Sequence, residues 1–188
     1  MQATWQGARA CIERATALEP DRQEIHVLHG ILAFLTGQFD VAEKHYRELL
    51  SLAPEDPVAR DRLALALIEQ AGTDKHKRAL ELAQVNARLY PGSAGTLSTL
   101  GRIYHRLGRL DDAERTLRTA LASGRAGPDT YYFLARVLAD RGQQDEALEL
   151  TRQALRLPVT DFLYRTHAQS WLEEVQRQRG APVKEGRP

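Results

Sequence analysis

The sequence predicts an all-α solenoid of antiparallel helix hairpins, and three rows of residues predict it. Ala8, Ala42, Ala79, Ala113 and Ala147 recur at spacings of 34, 37, 34 and 34 residues. Gly30, Ala64, Gly101 and Ala135 form a second small-residue row at 34, 37 and 34, and Pro20, Pro54 and Pro91 close the first three units. A fixed period of about 34 residues marks stacked helical pairs, none of which can hide its apolar face without its neighbours. Gly or Ala is required where the two backbones approach, so a large residue at Gly30 or Ala135 is expected to overpack the hairpin.

Residues 1–22 read as half a unit. Trp5 to Leu18 has the period of a second helix and closes at Pro20, with no first helix before it. Residues 23–56 form the first full repeat. Val27, Leu28, Ile31, Phe34 and Leu35 lie at helical spacing, Gly37 supplies a left-handed cap, and Asp40 with Glu43 predicts a capping box for the second helix. Residues 57–93 form a repeat with two helices, Pro57 to Gln70 and Arg78 to Tyr90. The link Ala71 to Lys77 is read as a longer turn that accounts for the 37-residue spacing. Residues 94–127 repeat the grammar with Gly108, Asp111 and Glu114, and residues 128–161 with Gly142 and Asp145. Thr160-Asp161 is expected to cap a last helix over 162–178, polar on its outer side as a solenoid end must be, before a disordered tail at 179–188.

Composition narrows the function classes. The chain has 188 residues, 27% charged, a net charge of +1 and one cysteine, Cys11. That balance exerts no global pull on nucleic acid or anionic membrane, a lone cysteine requires no oxidising compartment, and no apolar run spans a bilayer. No Gly-rich phosphate loop, HExxH, GxSxG or CxxC motif occurs, so no catalytic activity and no cofactor are expected. His26 and His29 are i, i+3 neighbours without a third ligand and are read as packing histidines, and Cys11 as a small packed hydrophobe. Lys75-His76-Lys77-Arg78 is read as a solvated basic turn.

With these residues in place the chain resembles the tetratricopeptide repeat (TPR) family. The first-helix pattern of large residue, Leu, small residue and Tyr is met by Leu97, Leu100, Gly101 and Tyr104, and nearly by Tyr131, Leu134, Ala135 and Leu138. The second-helix pattern is met by Ala42, Tyr46 and Leu49 and by Ala113, Leu117 and Ala120. His26 and Arg60 depart from it at the large position, His29 where Leu is usual, and Asn86 where Ala is usual. The resemblance covers about residues 3–161 and implies a right-handed superhelix whose first helices line a concave groove.

Carried over residue by residue, that groove is apolar in its N-terminal half at Ile31, Phe34, Leu35 and Leu65, and basic with an aromatic in its C-terminal half at Arg102, His105, Arg106, Tyr132 and Arg136. Arginine forks suit carboxylates and an exposed apolar patch suits an anchor residue, so the expected partner is a protein or peptide with an acidic group or a free C-terminus. The competing reading has the arginines paired with Asp140 or Glu69 and Ile31 and Phe34 packed in the core. The family's clamp for chaperone C-termini is not expected, because its places carry Val27, Leu28 and Ile31 and only Arg62 matches.

The sequence therefore reads first as a protein-interaction scaffold or adaptor, with a cytoplasmic setting. A second reading is a repeat module of a larger protein serving an attached enzyme or a secretion or assembly machinery. A third, disfavoured by the near-zero net charge, is binding of RNA or single-stranded nucleic acid with Tyr132 stacking. No membrane partner is expected. Trp5, Ala8, Ile12 and Ala15 leave an apolar stripe on the half unit, from which upstream repeats or self-association through Trp5 and Ile12 is expected.

Overall fold

A computed structural model of the chain describes residues 2–19, 22–157 and 162–180, without the side chains of 2–6, 8, 9, 179 and 180. The described residues form ten α-helices and no strand: α1 (Gln2–Leu18), α2 (Gln23–Leu35), α3 (Phe39–Leu52), α4 (Pro57–Ile68), α5 (Thr73–Leu89), α6 (Ala94–Arg106), α7 (Leu110–Ala122), α8 (Pro128–Asp140), α9 (Gln144–Arg156) and α10 (Arg165–Gly180). The pairs α2/α3, α4/α5, α6/α7 and α8/α9 stack in chain order, and α4, α6 and α8 also touch one another to form an inner layer. This is the all-α solenoid that the period predicts.

The small-residue rows sit where the hairpins close. A Cβ on Gly30 would lie 2.3 Å from the Tyr46 ring, and one on Gly101 would lie 2.5 Å from Leu117 Cγ. The turns after α2, α6 and α8 share one geometry. Gly37, Gly108 and Gly142 have φ of 75°, 73° and 80°. The next residue's N–H donates back to a carbonyl in the last turn: Gln38 to Ala33 at 2.8 Å, Arg109 to Tyr104 at 2.9 Å and Gln143 to Leu138 at 2.8 Å. This is the Schellman closure, which favours glycine at the left-handed position.

The helix starts that follow differ from expectation. Asp40 and Asp111 lie inside α3 and α7, and the N-cap residues Gln38 and Arg109 make no side-chain cap bond. The acidic residues reach between units instead. Glu43 is buried and accepts from Gln70 Nε2 at 2.7 Å and Lys75 Nζ at 2.9 Å, while Arg141 pairs with Asp111 and Glu114. First-turn carboxylates still face the positive end of the helix dipole. Side-chain caps occur where no Schellman turn precedes: Asp56 Oδ1 accepts from Val58 N at 2.8 Å, and Ser93 Oγ from Thr96 N at 3.3 Å.

The three extra residues of the third unit are helical. α5 starts at Thr73, directly after Gly72 at φ 119°, so the basic run Lys75 to Arg78 is part of a helix and not of a turn. Glu43 and Gln70 hold Lys75, and His76 Nε2 lies 2.7 Å from the Gln70 carbonyl, which fixes the added turn against α3 and α4.

The departures from the repeat pattern find partners within the fold: Arg60 and Asn86 each other, and His26 and His29 a third histidine, His45. Asn86 is fully buried; its Oδ1 accepts from Arg60 Nη1 at 2.8 Å and its Nδ2 donates to Asp61 Oδ1 at 2.7 Å and to the Pro57 carbonyl at 2.8 Å. His29 stacks on His45 at 4.5 Å between ring centroids, and His26 Nδ1 lies 3.3 Å from His45 Nδ1. Buried polar residues are tolerated when they satisfy each other.

Two expectations for α1 are corrected. Ile12 is buried with Ile25 and Leu32, and so is not an open edge residue, while Cys11 is exposed. Adjacent helical residues point about 100° apart, so turning Ile12 inward turns Cys11 out. The side chains of Trp5 and Ala8, together with Pro20, Thr160, Asp161 and the tail beyond 180, lie outside the described residues.

Candidate functional site

The nine residues expected of the groove, all on first helices of the pairs, border two clefts. One, of about 400 Å3, is bordered by Phe34, Leu35, Glu69, Arg102, His105, Arg106, Tyr132, Arg136 and Asp140. The other, of about 450 Å3, is bordered by Ile31, Leu35, Asp61, Arg62, Leu65, Ser98 and Phe133. Leu163 and Tyr164 border both.

These two residues were not foreseen as part of the site. The last helix starts at Arg165, three residues later than expected, and residues 162–164 form a turn that enters the groove. Tyr164 is buried, with its ring 4.9 Å from Phe133 and 6.2 Å from both Phe34 and Tyr132, measured between centroids. Its hydroxyl is buried without a hydrogen-bond partner among the described residues, and burial pushes its pKa up. A signal for this existed in the sequence: Phe162, Leu163 and Tyr164 are consecutive, and three consecutive apolar side chains cannot share one helix face.

Phe34 and Tyr132 are consequently buried under the turn, so neither is the exposed anchor or stacking platform expected of it. Ile31, Leu35 and Leu65 remain half-exposed.

Arg102 and Arg106 are paired with Glu69 and Phe34 is packed in the core, as the competing reading has it, while Ile31 stays half-exposed. Glu69 accepts from Arg102 at 2.8 Å and lies 3.3 Å from Arg106, so one carboxylate serves two guanidinium groups. The Arg102 side chain is only 15% exposed, with its guanidinium 5.4 Å from the Phe133 ring centroid and 5.6 Å from that of Tyr164. Its Nε is buried with no partner. Arg136 lies over Trp171 at 5.6 Å. His105 Nε2 lies 2.6 Å from Asp140 Oδ2, while its Nδ1 is buried and unpartnered. Burial lowers the His105 pKa, against the pull of Asp140. On the other side of the turn, burial raises the Asp61 carboxyl to about 7 despite the Asn86 hydrogen bond.

The groove is thus rich in arginine on one side of Tyr164 and mixed on the other, where apolar side chains lie beside Asp61 and Arg62. Among the described residues no group of three or more His, Cys, Asp and Glu is arranged to hold a metal, and no helix is long and apolar enough to cross a membrane.

Comparison with known proteins agrees with this architecture. Residues 92–158 match one tetratricopeptide repeat family model, and residues 2–57 and 28–94 match another. Tetratricopeptide repeat protein 7B of Homo sapiens is 26% identical over 153 residues, 81% of this chain but only 14% of that protein. A thermophilic TPR protein of Thermus thermophilus has the same fold, with a TM-score of 0.72 at 23% identity over 92% of each chain. YrrB, a TPR protein with an unusual peptide-binding site, has a TM-score of 0.50 at 18% identity over 89% of this chain and 84% of its own. With repeat matches running from residue 2 to residue 158 on a continuous stack of helical pairs, this chain belongs to the tetratricopeptide repeat family.

Proposed function

We propose that this chain is a protein-interaction scaffold whose concave groove takes a partner peptide, with an acidic side chain or C-terminal carboxylate received by the cationic cleft. The observation that carries this reading is that three guanidinium groups, Arg102, Arg106 and Arg136, border one cleft with two carboxylates, Glu69, which Arg102 and Arg106 share, and Asp140, which lies against His105. Three guanidinium groups and an imidazole against two carboxylates leave donors for an incoming anion, and paired guanidinium groups suit carboxylate oxygens. YrrB offers a precedent for peptide binding on this kind of fold. A second reading is supported by the human relative, of which this chain spans 14%: the chain serves as a repeat module beside other domains of a longer protein.

The test uses neutralised arginines at the cleft mouth. Arg102 is a poor choice for charge reversal, because a second carboxylate beside Glu69 in a largely buried place would destabilise the fold. Arg106→Gln with Arg136→Gln removes the exposed charge and the one that makes no ion pair with Glu69. Titration of a fluorescein-labelled peptide, Glu-Glu-Asp-Phe-Leu-Tyr-Glu-Glu, should show binding weakened by about tenfold or more in the double variant, which corresponds to about 1.4 kcal/mol. Unchanged affinity would remove the cationic cleft from the site.

A further inference from the structure

The chain's own turn at residues 162–164 lies between the two clefts, with Leu163 and Tyr164 bordering both. We propose that Tyr164 occupies the anchor position of the partner, so that the groove recognises an acidic peptide carrying an aromatic side chain, and that such a peptide binds by displacing the turn. This inference rests on the groove reading above and adds to it both the anchor chemistry and the competition.

Four observations carry it. Tyr164 sits on a platform of Phe34, Tyr132 and Phe133, contributed by α2 and α8, so the aromatic pocket is assembled across the solenoid and not within one unit. The occupant fits its pocket imperfectly: its hydroxyl is buried with no partner among the described residues, a cost that a better ligand would avoid. The pocket adjoins the cationic cleft, because Arg102 covers both the Tyr164 and Phe133 rings while its Nε remains unpartnered. An aromatic anchor with a neighbouring carboxylate would therefore meet both features together. Finally, the turn is held chiefly by packing: Phe162 and Tyr164 are buried in the core, with the Phe162 ring 6.1 Å from that of Tyr132. Arg165 donates to the Leu155 and Leu157 carbonyls at 3.4 Å, at the long end of hydrogen bonding, and α10 packs chiefly on α9.

A competing turn lowers the apparent affinity by the fraction of molecules in which the pocket is open. Two substitutions at one position then act in opposite directions. Tyr164→Ala empties the pocket. Tyr164→Phe keeps the ring and removes the unpartnered hydroxyl, which strengthens the plug.

The experiment titrates the labelled peptide Glu-Glu-Asp-Phe-Leu-Tyr-Glu-Glu into the full-length wild type, Tyr164→Ala and Tyr164→Phe. Tyr164→Ala should bind about tenfold or more tighter than wild type, and Tyr164→Phe should bind more weakly than wild type. Hydrogen exchange on the wild-type chain gives a readout that needs no variant to fold: saturating peptide should speed exchange at residues 162–168 while slowing it in α6 and α8. Equal affinities for the three chains, or slower exchange at 162–168 on binding, would overturn the competition and leave the groove reading standing. Absence of binding to all three chains, with Tyr164→Ala folded, would overturn the groove reading itself and this inference with it.

Discussion

At the scale of single residues, this fold depends on close approaches that a methyl group would block. A Gly101→Ala change places a Cβ at 2.5 Å from Leu117 Cγ, and Leu117 is fully buried and has no room to retreat. The expected cost is about 1 to 3 kcal/mol, read as a lower thermal midpoint. Gly95, in the first turn of α6, has nothing nearer to its notional Cβ than Ser93 Oγ at 3.8 Å, so Gly95→Ala should be neutral or stabilising by comparison. Equal melting of the two variants would show that backbone approach at Gly101 is not limiting. The Arg60–Asn86 pair makes a second case. Asn86→Ala leaves Arg60 Nη1 and Asp61 Oδ1 without their partner and should cost about 2 to 3 kcal/mol in urea unfolding. Arg60→Met combined with Asn86→Ala should cost less than the two single changes added, because each single change leaves an orphan behind. Strict additivity would mean that the pair is not coupled.

At the scale of elements, what could be read from sequence was what the repeat imposes on every unit. Gly37, Gly108 and Gly142 answer the same demand for a left-handed residue three times, and the Gly30/Gly101 row answers the same demand for space, so their spacing announced them. Features that occur once are not announced by spacing. The α5 extension depends on Glu43 and Gln70 from neighbouring helices, and the Tyr164 turn depends on a pocket shared by α2 and α8; neither leaves a periodic trace. The histidines between α2 and α3 stood out only as departures, yet they make stability depend on pH. Burial, and then the neighbouring His29 and His26, lower the His45 pKa to about 4, and burial lowers His29 as well. Between the unfolded value of about 6.5 and the folded value of about 4, the unfolded chain takes up a proton that the folded chain refuses, so stability falls as pH falls through that window. Asp61 acts in the opposite sense. Its pKa is raised to about 7, so the folded chain holds a proton there that the unfolded chain gives up, and acidification below 7 favours folding. Melting of wild type and His45→Gln from pH 7.5 to 5 separates the two. The wild type should lose more stability on acidification than the variant; parallel curves would show that His45 does not titrate in this way.

At the scale of the whole molecule, the question is where a stack of similar units is strongest. Exposed ion pairs such as Arg118 with Glu146 connect successive units but contribute little each. The larger contribution is apolar burial, and it is uneven. One continuous core runs from Ala33 to Ala168, whereas Ile12, Ile25 and Leu32 form a separate small cluster that joins α1 to α2. α8 is the most enclosed of the described helices: Phe133, Leu134, Ala135, Val137 and Leu138 are buried between α6, α7 and α9, and the Tyr164 turn packs on its groove side at 4.9 Å from the Phe133 ring. In a solenoid, stability is approximately a sum of unit and nearest-neighbour terms, so uneven burial becomes uneven local stability. Native-state hydrogen exchange should show α1 opening at the lowest free energy and α8 at the highest. Tyr164→Ala should lower the protection of α8 more than that of α4, because the side chain it removes rests on Phe133 and Tyr132. Uniform protection from α2 to α9, with α8 no different from α4 in the variant, would mean that the helices unfold as one cooperative unit and that the turn does not hold α8 in place.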